Sequence, residues 1–169
     1  MAESPVIVRD ATPADVLAIR SLVETYTNDR ILLAHDLVAY YEAVRDFVVA
    51  VAPTGEVVGC GALHVMWSDL AEVRTLAVFR ERRRTGIGHA LLTGLIERAR
   101  DLRLRRLFCL TFEVAFFTRH GFDVIEGTPV ELDVYEELLQ SYDEGVAEFL
   151  DLERVKPNTL GNTRMLRML

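Results

Sequence analysis

The stretch that decides the fold of this chain is Glu72-Val73-Arg74-Thr75-Leu76-Ala77-Val78, followed by Arg83-Arg84-Thr85-Gly86-Ile87-Gly88. The first part has the apolar and β-branched composition of a strand, and the second opens an amphipathic helix that reaches about Leu102. Glycine lets the backbone turn tightly between them and approach a ligand closely. The N–H groups of the first helical turn point at that position, where the helix dipole favours negative charge. The pattern therefore predicts a cradle for a pyrophosphate.

Two better-known phosphate motifs do not fit this loop. A P-loop would continue with Gly-Lys-Ser/Thr, and a dinucleotide fingerprint would need three glycines at fixed spacing. Two plainer interpretations stay open: a strand–helix joint that happens to use glycine, and a solvated run of charges. Arginines beside the loop of an acidic protein favour a polyanionic ligand. They are Arg80, Arg82, Arg83 and Arg84.

Length and composition indicate a single globular domain over residues 1–169. The chain is 50% apolar and 27% charged, which excludes a disordered or low-complexity class. No apolar run approaches the ~18–20 residues of a membrane span, and the first residues lack the layout of a signal peptide. A formal net charge of −7 argues against general nucleic-acid binding. The two cysteines, Cys60 and Cys109, are too few for a disulfide scaffold, so a reducing, cytoplasmic location is expected.

Strand and helix patterns alternate along the chain, which predicts an α/β fold. A helix start is predicted at Thr12-Pro13-Ala14-Asp15, where a hydroxyl N-cap precedes proline and an acid stands three residues after the cap. Further helices are predicted over Asp36–Arg45, Val114–His120 and Pro129–Tyr142, with an irregular stretch before the last strand. The predicted strands are Val6–Arg9, Phe47–Val51, Val57–Val65, Glu72–Val78, Arg106–Thr111, Phe122–Ile125 and Arg164–Leu169.

The loop and its helix resemble the signature of a known family. Arg83-x-x-Gly86-x-Gly88 at a helix start is similar to the acetyl-coenzyme A (acetyl-CoA) signature of the GNAT superfamily of N-acetyltransferases. Phe117-x-x-x-Gly121-Phe122 resembles the aromatic element that follows the fifth strand in that superfamily. The resemblance covers residues 5–126 and implies a mixed, V-shaped sheet of six to seven strands flanked by helices.

The same resemblance implies how acetyl-CoA is held. The cosubstrate enters the split between the fourth and fifth strands, with its pyrophosphate on the helix-start N–H groups and its pantetheine arm along the signature strand. No metal is expected, because no set of His, Cys and Asp has the spacing of metal ligands. The residues implied to contact acetyl-CoA are Leu76, Ala77, Val78, Arg83, Arg84, Thr85, Gly86, Ile87, Gly88, His89 and Phe117.

Within the superfamily, the chain most resembles the short bacterial amino-acid N-acetyltransferases that act as N-acetylglutamate synthases. That likeness implies acetyl transfer from acetyl-CoA to the α-amine of L-glutamate or L-glutamine, the first step of arginine biosynthesis. The stretches that resemble this group are Gly59–His64, Glu72–Val78, Leu110–Glu113, Tyr142–Leu152 and Asn158–Leu166.

Transfer to an amine requires a base, because an α-amine has a pKa near ~8. Glu72 is the first candidate, since superfamily members often hold a carboxylate in the signature strand. Alternation along a strand places Glu72 and Arg74 on one face, so a surface ion pair is the plainer interpretation. Glu113, just after the fifth strand, is the second candidate, with a helix-start acid as its plainer interpretation. The resemblance implies that backbone N–H groups around Leu76–Val78 hold the developing oxyanion.

The donor of a proton to the departing thiolate is left open. Many superfamily members carry tyrosine where this chain has Phe117, which has no proton to give. Thr111, Thr163 and water are alternative donors, and unassisted departure is a further alternative because a thiol has a pKa near ~8.5. The attack is expected to be direct, since Cys109 lies in an apolar strand and is typical of an inert core residue.

An anionic amino acid that approaches an acidic protein needs local cations, and a guanidinium pairs bidentately with a carboxylate. Arg74 is best placed by strand geometry. Arg30 lies in the loop between the first two helices, which the superfamily uses for substrate, and Arg164 begins the last strand. The predicted substrate-binding residues are Arg30, His35, Arg74, Thr111 and Arg164.

Two other functions remain open. The acceptor of the acetyl group is alternatively a protein N-terminus, a lysine or another small amine, and the second alternative is a non-catalytic, regulatory acyl-CoA-binding module. No nucleic-acid or membrane partner is expected. A homodimer is one assembly that the resemblance implies, because terminal strands in the superfamily often pair across dimers.

Overall fold

A mixed sheet of seven strands runs through the computed structural model, which describes residues 5–29, 31–32 and 35–169. The hydrogen-bonded strand order is β1-β2-β3-β4-β5-β7-β6, and the helices confirm the predicted α/β class. The strands are β1 Ile7–Asp10, β2 Phe47–Val51, β3 Val57–Trp67, β4 Leu70–Val78, β5 Arg106–Thr111, β6 Asp123–Val124 and β7 Thr163–Met168. The helices are α1 Val16–Thr27, α2 Leu37–Glu42, α3 Ile87–Asp101, α4 Val114–Arg119, α5 Leu132–Leu138, α6 Glu144–Phe149 and α7 Lys156–Thr159.

Several predicted boundaries are wrong, mostly in the last third of the chain. The predicted irregular stretch contains α6 and α7, which are too short to show apolar periodicity in sequence. The Asp143 carboxylate accepts a hydrogen bond from the Val146 N–H at 2.9 Å, and this N-cap explains why α6 begins where it does. The helix predicted from Pro129 begins only at Leu132 and ends at Leu138.

The chain divides into two compact units, and the prediction of a single domain remains a prediction. Unit 1 comprises residues 1–64 and 73–102, and unit 2 comprises residues 65–72 and 103–169. None of the helices in the part of the chain that the structure describes has the length and apolar content needed to cross a membrane.

Unit 1 is an antiparallel arrangement covered by α1. β1 pairs with β2, and β2 pairs with β3. The predicted helix start is present: the Thr12 N–H donates to the Asp15 carboxylate at 2.7 Å, so the chain enters α1 through a capped turn. One core joins α1 to the strands, and its members include Val16, Ile19, Leu22, Val23 and Tyr26 from the helix and Phe47, Val49, Cys60, Ala62 and Ala77 from the strands.

Two glycines of β3 let α3 pack closely on the sheet of unit 1. A Cβ at Gly59 would lie 2.9 Å from the Leu91 side chain and 3.2 Å from the Ala77 carbonyl oxygen. A Cβ at Gly61 would lie 2.9 Å from the side chains of Leu76 and Leu95. Real Cβ atoms essentially never approach so closely, so any other residue would force these leucine side chains to shift and would crowd the Ala77 carbonyl. The glycines therefore allow the leucines of α3 to pack closely on β3.

Unit 2 is built around β5. The strand pairs in parallel with the start of β4, from Leu70↔Arg106 to Glu72↔Phe108, and antiparallel with β7. Phe108 packs edge-on against Phe149 of α6, with ring centroids 4.9 Å apart, in a core that also includes Leu70, Leu138 and Val146. This core covers the face of β5 that carries Phe108, which is the partner of Glu72.

Candidate functional site

The loop between β4 and α3 has the backbone geometry of an anion cradle. After a single 3-10 turn at Arg80–Arg82, Arg84 and Gly86 both adopt left-handed conformations, with φ of +64° and +87°. Gly86 is the N-cap of α3, a helix of 15 residues. Apart from its neighbours in the chain, no heavy atom lies within 4 Å of where a Gly86 Cβ would stand, so the surroundings of this residue at the helix start are open. A long helix with an open N-terminus presents its unsatisfied N–H groups to an anion.

The arginines beside this loop do not all share one environment. Arg83 and Arg84 are exposed at the helix start. Arg80 instead faces α1: its guanidinium donates to the Thr25 carbonyl at 3.2 Å, pairs with Asp29, and lies 4.7 Å from the centre of the Tyr26 ring. The interpretation of all four arginines as one polyanion patch is therefore wrong for Arg80, whose charge is already paired.

The signature strand β4 has an unusual backbone conformation at Thr75. Its φ is +54°, in the left-handed region that a β-branched residue rarely adopts. Side chains from neighbouring elements bond two carbonyls here, that of Thr75 itself and that of Val78. The Cys60 thiol lies 3.5 Å from the Thr75 carbonyl oxygen, and the Tyr26 hydroxyl donates to the Val78 carbonyl. Strain of this kind persists only where its surroundings hold it, and it is common at functional sites.

Glu72 is a buried acidic residue, the third of the nine residues of β4. It is only 4% exposed, and it pairs with Phe108 in the β4–β5 ladder. Burial first, and then the charge of Glu72, raise the pKa of the nearby Cys109 thiol, which is therefore protonated at neutral pH. The surface ion pair is therefore the wrong interpretation of Glu72, because this side chain is not on the surface. Cys109 has the character of an inert core thiol.

Glu113 and Thr111 stand together at the end of β5. The Glu113 N–H donates to the Thr111 hydroxyl at 2.8 Å, and Thr111 is buried while Glu113 is exposed. Glu113 is the N-cap residue of α4, but its side chain makes no capping hydrogen bond. Its assignment as a second base stays a prediction.

Phe117 lies in an aromatic cluster. Its ring packs edge-on against Phe116 and Phe122, with centroid distances of 5.3 and 5.1 Å, and the residue is buried. These contacts account for an apolar ring at a position where many superfamily members have tyrosine. Contact between Phe117 and acetyl-CoA stays a prediction.

The predicted substrate residues have different surroundings. Arg30 lies outside the described residues, and His35 is exposed with its ring 6.0 Å from that of Tyr40. Arg74 is partly buried on β4. The Arg164 guanidinium stacks 5.0 Å from the centre of the Phe108 ring, and burial lowers its pKa.

Arg164 uses its N–H groups within the chain. They donate to the carbonyl oxygens of Gly127, Glu148 and Phe149, at distances of 2.6 to 3.2 Å. These bonds join β7 to the end of α6 and to the turn before α5. The guanidinium thus stabilises unit 2, and its role in substrate binding stays a prediction.

Sequence reasoning missed the bonds that Cys60 and Tyr26 make to the signature strand, and the contacts of Arg80 with α1 and Asp29. Cys60, Tyr26 and Arg80 lie 15 to 55 residues from the backbone groups that they bond. The sequence shows no local signal for such contacts, although each residue type is a hydrogen-bond donor within a strand, helix or turn of unit 1.

Within residues 5–29, 31–32 and 35–169, no cluster of three His, Cys, Asp or Glu side chains could hold a metal ion.

Comparison with known proteins identifies related sequences and folds. The model of the acetyltransferase (GNAT) family matches residues 17–122. An amino-acid acetyltransferase of Mycobacterium tuberculosis is 58% identical over 165 residues, which is 96% of this chain and 94% of that protein.

Solved structures show the same fold. A Mycobacterium tuberculosis protein in complex with CoA and NLQ superposes with a TM-score of 0.94 at 58% identity, covering 96% of this chain and 99% of that one. The N-acetylglutamate synthase of Neisseria gonorrhoeae, in complex with coenzyme A and N-acetyl-glutamate, has a TM-score of 0.76 at 22% identity. The match covers 99% of this chain but 36% of that one, and at this identity it shows the fold alone.

Proposed function

The chain belongs to the acetyltransferase (GNAT) family, and on that premise we propose that it transfers the acetyl group of acetyl-CoA to the α-amine of L-glutamate or L-glutamine. The relative that is 58% identical over almost the whole chain, named as an amino-acid acetyltransferase, supports a free amino acid as the acceptor. With L-glutamate the product would be N-acetylglutamate, and the reaction would begin arginine biosynthesis.

The observation that supports the proposal most directly is the course of the chain from Glu72 to Ile87. In 16 residues it carries a buried carboxylic acid, a left-handed residue at Thr75, two left-handed residues at the loop, and the start of a 15-residue helix. These features fit a ligand with an acyl group at one end and a diphosphate further along. The open space at Gly86 and the backbone donors at Arg84–His89 fit the diphosphate.

Acetyl-CoA, when bound, supplies an acetyl thioester that an amine can attack without prior covalent catalysis. The ammonium form of the acceptor first loses one proton to become a nucleophile. A C–N bond then forms, the nitrogen loses a second proton, and the C–S bond breaks. The thiolate that leaves takes up one proton, and the other passes through the base to solvent. The residues of this chain must therefore deprotonate the amine and stabilise the negative charge on the carbonyl oxygen. They must also keep the acceptor in line with the thioester.

Glu72 is proposed to take the proton from the amine, directly or through one water molecule. An α-amine has a pKa of roughly 7.7–8.0, so a base increases the reactive fraction at neutral pH. A buried carboxylate on the signature strand suits this task, because protein surrounds it on a rigid element rather than on a loop.

Backbone N–H groups of Leu76–Val78 are proposed to donate to the carbonyl oxygen as it becomes negative. Preorganised donors of this kind typically contribute about 10²–10³ in rate each. The left-handed Thr75 immediately precedes them and changes the direction of the following peptide groups. Thiolate departure needs less help because a thiol has a pKa near ~8.5, with Thr111, Thr163 or water as donors.

Arg74 is proposed to bind a carboxylate of the acceptor. It lies two residues after Glu72 on β4, so strand alternation directs it to the same face as the base. A guanidinium binds a carboxylate through two parallel hydrogen bonds, which orients the amino acid as well as attracting it. A net charge of −7 makes such a local cation necessary for an anionic substrate.

Steady-state kinetics test this function. Release of free thiol is followed at a fixed acetyl-CoA concentration with each of the twenty amino acids and with a short peptide carrying a free N-terminus. Turnover greatest with L-glutamate or L-glutamine supports the proposal. Turnover only with the peptide, or calorimetric binding of CoA without turnover on any acceptor, would replace it with one of the alternatives.

A further inference from the structure

We propose that Cys60 and Tyr26 are positioning residues that hold the β4 segment Thr75–Val78 in the conformation that receives the acetyl thioester. The inference depends on the proposed acetyl-CoA site, and it concerns residues that touch the backbone of that site rather than the ligand. Each donates a hydrogen bond to one end of the segment, Cys60 at Thr75 and Tyr26 at Val78.

The Cys60 thiol holds the strained residue of the segment. It is fully buried, and burial raises its pKa to about 12 against the opposing effect of a backbone hydrogen bond at Ala77, so it is an S–H donor at neutral pH. The donor faces the Thr75 carbonyl oxygen at 3.5 Å, a normal distance for sulfur. Thr75 has a φ of +54°, which a β-branched residue keeps only when the surrounding structure holds it there.

The position of the Thr75 carbonyl also determines where the next N–H points. A trans peptide group is planar, so its C=O and N–H point in opposite directions. Because the Thr75 carbonyl faces the Cys60 sulfur, the Leu76 N–H points away from that sulfur. That N–H is the first of the donors proposed to stabilise the carbonyl oxygen of the thioester.

Tyr26 holds the other end of the segment in a similar way. Its hydroxyl reaches from α1 to the Val78 carbonyl, while the Phe79 N–H of the same peptide group donates to the Val58 carbonyl at 3.2 Å. Both the C=O and the N–H of this peptide group are therefore hydrogen-bonded.

Arg80 supports Tyr26. Its guanidinium lies 4.7 Å from the centre of the Tyr26 ring and bonds the Thr25 carbonyl and Asp29. The α1 residues are thus fixed relative to the end of β4, immediately before the loop that leads to α3.

The residue types argue for positioning rather than packing alone. Cys60 and Tyr26 lie in a core that is otherwise made of aliphatic and aromatic side chains, where valine and phenylalanine would fill similar volumes. Buried polar groups cost free energy unless they are bonded, and here both bonds go to one four-residue segment.

Three variants test the inference: Cys60→Val and Tyr26→Phe remove a donor with little change of shape, and Cys60→Ser keeps a donor. Three quantities are measured in each: kcat for acetyl transfer, the Kd for CoA by calorimetry, and hydrogen exchange of the peptide that spans residues 75–79 in the free protein. CoA lacks the acetyl carbonyl, so its Kd reports the diphosphate cradle and not the oxyanion donors. Tyr135→Phe is the matched control, since the Tyr135 hydroxyl faces the Leu150 carbonyl of unit 2 at 3.5 Å.

Loss of either donor is expected to lower kcat about three- to tenfold, to leave the Kd for CoA within about twofold, and to accelerate exchange over residues 75–79. Cys60→Ser and Tyr135→Phe are expected to retain kcat within about twofold. Unchanged exchange and kcat in both donor-loss variants would overturn the inference, and so would equal losses of kcat and CoA affinity. An inactive wild-type protein would instead overturn the proposed function, and exchange over residues 75–79 would still decide whether the two donors hold the segment. If Cys60→Val does not fold, Tyr26→Phe decides by the same criteria.

Discussion

Glu72 faces Phe108 across the last register pair of the parallel β4–β5 ladder. β4 continues for six residues beyond this pair, to Val78, and β5 for three, to Thr111. The buried base candidate therefore stands where the part of β4 that pairs with β5 ends, three residues before the left-handed Thr75. Leu76, the first of the donors proposed for the thioester, follows Glu72 by four residues along β4.

Replacement of the base tests this arrangement. Glu72→Gln keeps the shape and removes the proton acceptor, so kcat is expected to fall by about 10²–10⁴ with little change in the Kd for CoA. Steady-state kinetics and calorimetry on the same preparation measure both quantities. Near-wild-type turnover in Glu72→Gln would show that Glu72 is not the base. Glu113→Gln would then test Glu113 in the same way.

Replacement of a guanidinium by an ammonium tests substrate binding. Arg74→Lys keeps the charge but loses the bidentate geometry, so the KM for the amino acid is expected to rise about tenfold while the KM for acetyl-CoA stays unchanged.

Arg164→Lys is the matched comparison. The Arg164 guanidinium bonds three backbone carbonyls, so its replacement is expected to lower the free energy of unfolding by about 1–3 kcal/mol. Urea unfolding and the KM for the amino acid separate the two roles. A stable Arg164→Lys protein with a raised KM would reassign the carboxylate contact to Arg164.

The left-handed glycine at the start of α3 gives a test of the diphosphate cradle. In Gly86→Ala, a residue that carries a Cβ must adopt a φ of +87°. This costs about 1–2 kcal/mol of stability and shifts the turn that leads into the helix. We expect the Kd for CoA to rise about tenfold, measured by calorimetry.

Gly55→Ala is a close control for that variant. Gly55 has the same φ of +87° and equally open surroundings, but it lies in the turn between β2 and β3. Its replacement should reduce stability to a similar extent without changing CoA affinity. A similar loss of CoA affinity in both variants would mean that general destabilisation, and not the cradle, explains the result.

The buried Asp15 predicts a pH dependence of stability in unit 1. Hydrogen bonds from Arg9, chiefly, lower the pKa of Asp15 from its usual 3.8 to about 2. Because the pKa is lower in the folded state, this stabilisation is fully present above about pH 4 and is lost as the pH falls through about 2. Its size is about 1–2 kcal/mol, since Arg9 is partly exposed and solvent weakens the pair.

Urea unfolding of the wild-type protein and Asp15→Asn at neutral and at acidic pH measures this contribution. The difference between the two proteins should narrow toward acidic pH, because a protonated Asp15 resembles asparagine in charge. A difference that is independent of pH would show that Asp15 stabilises the start of α1 without its charge.

The signature segment and the start of α1 could be predicted because the signals for both are local. Glycine at Gly86, the strand composition of β4 and the capped start of α1 each depend on residues within a few positions, where backbone sterics and capping act. The helices α6 and α7 were not predicted, since at six and four residues they are too short for periodicity.

By itself, the sequence predicted the α/β class, the strands and the helices up to α5, the loop between β4 and α3, and Glu72 as the first base candidate, because local backbone preferences and family motifs depend on neighbouring residues. Only the tertiary structure decided that Glu72 is buried, that Arg80 pairs with Asp29 beside Tyr26, and that Arg164 bonds the backbone of its own unit. It also brought Cys60 to the carbonyl of Thr75. The physical reason is that these contacts join residues far apart in the chain, so they exist only once the core has formed and excluded water from them.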